Sequence, residues 1–130
     1  MIQSINISTK LYVGKAKDFK NHKDTLLELI SLMPSVGVEN VSKSDWLVAS
    51  TFDRLYSTYF YKHIGNSYMC DLMVKLKADN WNIGKTWYQQ YKEGSHHTYH
   101  NHAKTNFTNV FYLELPDTNY KTIIKDDNGE

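Results

Sequence analysis

Apolar and polar residues alternate from Ile5 to Ile7. Leu11, Tyr12 and Val13 then run up to Gly14, which predicts an N-terminal strand or strand pair. At Asp18 the period changes. Phe19, His22, Leu26, Leu29, Ile30 and Met33 recur at steps of three and four, Asp18 is placed as an N-cap and Pro34 as a stop, so a helix is predicted over 18–33 with its stripe packed on a sheet. The stretch SVGVENVSKSDW has the composition of a connecting loop closing on Trp46, with Asp45 at most capping a helix. RLYSTYFYKHIG fits strand or helix equally. Met69, Leu72, Met73 and Leu76 then mark one face of a second helix over 66–77.

Beyond Asn80 the character changes again. β-branched and aromatic residues dominate, divided by Gly94, Pro116 and Asn128-Gly129, and predict a meander of strands at 85–91, 97–102, 107–115 and 119–125. Helices first and strands after favour one α+β domain over 1–130: a mainly helical 1–80 with an N-terminal strand, and a β-rich 81–130. A doubly wound fold is disfavoured, since helices and strands do not alternate and neither a G-x-G-x-x-G nor a phosphate-binding loop occurs.

Composition narrows the classes of function. Lysine and arginine number 15 against 14 aspartates and glutamates, without a long block of either sign, so neither nucleic acid nor an anionic membrane is indicated as a partner. No apolar run approaches the roughly 18 residues of a membrane span. The N-terminus lacks a signal-peptide core, and the single Cys70 excludes an internal disulfide, so a reducing, cytoplasmic setting is the expectation. Cys70 falls on the apolar stripe of the second helix and reads as a buried, inert thiol. His22 and His63 stand alone in sequence and read as ordinary side chains.

The candidate chemistry lies in GSHHTYHNH, where four of the six histidines occupy seven consecutive positions. Side chains two apart on a strand share a face, so His100 and His102 project together as a metal-ligand pair. His96 has the same parity and His97 the opposite one; both are held as reserve ligands. Neutral imidazole suits zinc, copper, iron and nickel alike, so the pair does not select the metal. The tyrosines and tryptophans around it read mainly as core, with Tyr91 and Tyr112 the two expected to reach a pocket.

From Trp81 onward, the string WYQQYKEGSHHTYHNHAKTNFTNVFYLELPD resembles the 2-oxoglutarate and iron(II)-dependent oxygenases, including those carried by tailed phages of marine bacteria. The shared features are a tryptophan and tyrosine strand, a glycine, H-x-H at His100 and His102, and the aromatic strand from Val110 to Pro116. The resemblance implies a double-stranded β-helix binding Fe(II) and 2-oxoglutarate. His100 matches the first ligand, and His102 stands where the wider superfamily has an aspartate or glutamate. A cupin-like opening, Gly94 followed by His100 and His102, points to the same jelly-roll barrel, although the cupin glutamate is replaced by Asn106 or Phe107. The family's distal histidine and arginine fall beyond Glu130. The chain therefore reads as the N-terminal part of a longer enzyme, an expectation reinforced by Asn128-Gly129, a hairpin turn that calls for a return strand. The alternative is a non-catalytic structural or interaction protein, with a homodimer formed through the C-terminal strand edge.

Overall fold

The computed structural model describes residues 2–6, 10–37, 41–96, 105–116 and 122–124, and all structural statements below concern these. The N-terminal alternation forms a hairpin: β1 (Ile2–Asn6) pairs antiparallel with β2 (Lys10–Gly14), with Ile2 opposite Gly14 and Ser4 opposite Tyr12.

The helix expected at 18–33 is present but starts later. Asp18 sits in the left-handed region at φ 55° without capping through its side chain, Phe19–Asn21 form a 3₁₀ turn, and α1 runs over Lys23–Ser31. Asp is one of the few non-glycine residues that tolerates this conformation. The stripe itself is as expected: Leu26 is buried, and Phe19, Leu29, Ile30 and Met33 pack around it. Its partner differs. α1 lies against a helix, α2 (Leu55–Phe60), rather than against a sheet.

The ambiguous stretch after Arg54 is helical throughout. α2 passes into a π turn at Tyr61–Gly65 and then into α3 (Asn66–Leu76), ending at Lys77 in a left-handed cap. The π turn is closed by the Asn66 N–H bonded to the Tyr61 carbonyl. Gly65 is required there, because a Cβ would stand 2.8 Å from the Tyr61 ring and 2.9 Å from that of Phe60. The α3 face is as predicted: Met69, Leu72 and Met73 are buried and pack with Ile2, Tyr12, Leu76 and Trp81. It is therefore α3 that covers the hairpin. Cys70, expected to be buried, is exposed.

The stretch read as a loop contributes a short strand. β3 (Lys43–Ser44) pairs antiparallel with β4 (Gln89–Gln90), and Val41 just before it is buried. β4 is all that forms of the strand expected at 85–91, because the facing segment offers a ladder only this long. Residues 107–115 form no strand and include a bend at Leu113, and no described strand lies alongside to supply a ladder. The strands predicted at 97–102 and 119–125 fall wholly or largely outside the described residues, as do Ile7 and Asn128-Gly129. The fold is thus α+β in composition, with two separate two-stranded antiparallel sheets among the described residues. No jelly-roll or double-stranded β-helix is formed by them.

Candidate functional site

Of the sequence-predicted ligands, His97, His100 and His102 lie outside the described residues, and His96 is exposed. What the structure fixes is the chain on either side of the histidine run. On the upstream side, Tyr88 is bound by both backbone groups: its N–H donates to Asp45 Oδ1 at 2.8 Å, and its carbonyl accepts from Ser44 Oγ at 3.0 Å. On the downstream side, Phe111 packs edge-on against Phe19 and Phe60, at ring-centre distances of 5.5 and 5.0 Å. Lys23 pairs with Glu114 at 3.3 Å. Tyr88, Phe111 and Leu113 all rest on the core formed by Leu26, Tyr56 and Ile64. Both flanks of the histidine run are therefore moored to one helical body.

The upstream mooring is a buried ionic junction that sequence reasoning missed. Asp45 is fully buried. Its Oδ2 accepts from Arg54 Nε at 2.9 Å and from the Tyr56 hydroxyl at 2.6 Å. Arg54 also donates from Nη1 to the carbonyls of Ala49 and Phe52, and from Nη2 to those of Asp45 and Val48, at 3.1–3.2 Å. The guanidinium thereby uses each of its five N–H donors, four of them on carbonyls of the 45–52 loop. Burial, reinforced by the hydrogen bond to Asp45 and its charge, pushes the Tyr56 phenol well above its ordinary range. Among the described residues no buried side-chain polar atom lacks a partner, so the junction meets the condition under which buried charge is tolerated. Beside it, Trp46 and Trp87 meet edge to face at 4.4 Å, and the Lys85 ammonium lies 3.6 Å from the Trp46 ring centre.

Tyr91 and Tyr112, expected to line a pocket, are both partly exposed. The Tyr91 hydroxyl donates to Gln89 Oε1 at 2.7 Å; that of Tyr112 bonds the Thr122 hydroxyl and accepts from the Thr122 N–H at 2.8 Å. The Tyr91 phenol is shifted upward, by desolvation first and by Tyr112 second. A cleft of about 110 Å³ lies elsewhere, between the hairpin, α3 and Val110, and includes Tyr12, Tyr68 and Leu72. Drug-sized ligand pockets are several times larger.

A second cluster joins two histidines that are far apart in sequence. His22 Nδ1 lies 2.6 Å from the Tyr59 hydroxyl, the His22 and His63 rings are stacked with centres 4.8 Å apart, and Tyr59 and His63 are 4.3 Å apart. The His63 imidazole is shifted downward, through desolvation first and then through His22 and Lys62. Neither His22 nor His63 stands alone, as the sequence had suggested; the i, i+4 spacing of Tyr59 and His63 was the one local signal.

Among the described residues no group of three or more His, Cys, Asp or Glu side chains is assembled to hold a metal, and no described helix is long and apolar enough to cross a membrane. No protein-family model, curated protein or solved structure matches the chain.

Proposed function

We propose that the chain carries metal-ligating residues of a 2-oxoglutarate and iron(II)-dependent oxygenase. The observation that carries the reading is the H-x-H pair, His100 and His102, set between an aromatic stretch and VFYLELP. Support comes from the mooring of both flanks, Tyr88 and Phe111, on the same core. A ligand segment tethered at both ends loses less conformational freedom on binding an ion than one hanging from a single end.

The donor chemistry fits in part. Imidazole nitrogens at His100 and His102 would hold iron(II), and zinc or nickel on the same grounds. The carboxylate and further histidine of the usual facial triad are not assembled among the described residues. When bound, iron(II) with 2-oxoglutarate supplies oxidation of an unactivated C–H bond coupled to decarboxylation of the cosubstrate. The chain's own part is narrower: the two imidazoles must be neutral to ligate.

The test is anaerobic calorimetric titration with iron(II), with and without 2-oxoglutarate, of the wild type and of His100→Ala/His102→Ala. Binding that 2-oxoglutarate tightens and the double variant loses is the expected result. Binding indifferent to both histidines would sink the reading.

The exposed side chains of Val110, Leu115, Ile123 and Ile124 favour a second reading, an interaction module without chemistry that self-associates through this segment. Light scattering across a concentration series, with Val110→Ser/Ile124→Ser as the control, tests it; a concentration-independent monomer rules it out.

A further inference from the structure

We infer that His22 and His63 form a separate site for a divalent transition-metal ion, built between the start of α1 and the π turn and supported by Tyr59. The two imidazoles come from segments that pack across the α1 and α2 contact, and their centres are 4.8 Å apart. A metal–nitrogen bond of about 2.0–2.1 Å puts each ring centre about 3.2 Å from the ion, so two imidazoles on one ion have centres roughly 4.5–5.2 Å apart. The separation already present falls inside that interval.

The orientation of His22 is held as a metal-binding histidine's usually is. Ligating imidazoles commonly donate their other N–H to an oxygen that fixes the tautomer and ring direction. The Tyr59 hydroxyl, 2.6 Å from His22 Nδ1, occupies that place, and with Nδ1–H donating to it the lone pair lies on Nε2. His63 is exposed, and its ring plane is 27° from that of His22. Because imidazole lone pairs lie in the ring plane, this exposed ring must turn about χ2 from its stacked position before both lone pairs can meet at one ion. The π turn contributes by bringing His63 over Tyr59, and such turns recur where a helix carries function. Two nitrogen donors leave the rest of the coordination sphere to water, which suits zinc, nickel or copper and gives modest affinity.

The site is independent of the histidine run, and the experiment keeps the two apart. The full chain carrying His96→Ala, His97→Ala, His100→Ala and His102→Ala is titrated calorimetrically with zinc. One ion per chain is expected, with binding abolished by adding either His22→Ala or His63→Ala and weakened about tenfold by Tyr59→Phe. Absence of zinc binding in the fourfold variant overturns the proposal, as does binding unchanged by His22→Ala and His63→Ala. Should those alanine variants misfold, paramagnetic nickel decides: with both side chains intact, it should broaden the ring signals of His22 and His63 before any others, and sparing them overturns the site. Failure here leaves the iron reading untouched, because that reading stands or falls on His100 and His102.

Discussion

The helical part of the chain, residues 23–76, and the part that follows differ in whether they fully bury any hydrophobic side chain. Every buried hydrophobic side chain described, from Leu26 through Val41, Tyr56 and Ile64 to Met73, belongs to the first. In the second, Ile83, Tyr91, Phe107, Val110, Tyr112, Leu115, Ile123 and Ile124 are all exposed, and only side chains such as Trp81, Tyr88, Phe111 and Leu113 reach the core at its edge. Helices satisfy their backbone locally and need only one stripe covered. Extended segments need a partner for both backbone and side chains, and here the described partners are few. The difference explains why the body around α1, α2 and α3 has a defined interior while the histidine-bearing half depends on its moorings.

Cutting the upstream mooring is the most disruptive way to break this contrast. Asp45→Ala strands the Arg54 charge, the Tyr56 hydroxyl and the Tyr88 N–H, and should cost ~3–5 kcal/mol in urea denaturation. Next comes a direct comparison of the two parts. Leu26→Ala should cost ~2–4 kcal/mol, whereas Val110→Ser should stay within about 0.5 kcal/mol; equal losses would mean that the second part is buried after all. Smaller still is Gly65→Ala. In an ordinary helix interior this change is favourable by up to ~1 kcal/mol, but contact with the Tyr61 and Phe60 rings should make it destabilising by ~1–2 kcal/mol in thermal melts.

The pH dependences sharpen the same contrast at the lower end. Burial pushes the Tyr68 phenol up to about 12, so the unfolded chain releases its proton first. The stability linked to Tyr68 is present below about 10 and is lost as pH rises toward 12. His63 has the opposite sign. Its folded value is lowered, so the unfolded chain binds the proton more readily, and stability falls as pH drops through the ordinary histidine range near 6.5. Because His63 is exposed the effect should be slight, and His63→Gln should remove it from a pH series of melting temperatures.

What was legible in the sequence follows the range of the interactions. The stripes on α1 and α3 are local and periodic, and the hydrophobic residues named from them are the ones that pack, whereas Cys70, assigned to the α3 stripe, is exposed. The α2 segment was not legible, because β-branched and aromatic residues suit either structure and the π turn disturbs the helical period. The strand at 107–115 was overread, since aromatic composition signals a pleated surface but cannot supply the neighbour that makes a ladder. Asp45 was read as a cap at most. Its partners Arg54, Tyr56 and Tyr88 lie 9, 11 and 43 residues away, and no periodicity links them. The same holds for His22 and His63, which only the packing of α1 on α2 unites.

The π turn also sets the angular phase of the long helical rod. An α-helix advances about 100° per residue, and a π turn takes in one residue more than an α turn. Tyr56 on α2 thereby faces the Leu26 cluster, while Met69, Leu72 and Met73 on α3 face the hairpin. One rod thus serves two differently directed layers. Deleting a single residue between 61 and 64 would restore an unbroken α-helix and keep α3 in its present phase, with its methionines still on the hairpin, because the π turn absorbs the one residue removed. The helix thus carries one residue more than its two packed faces need, and the π turn is where a one-residue difference in length can be absorbed without repacking either layer.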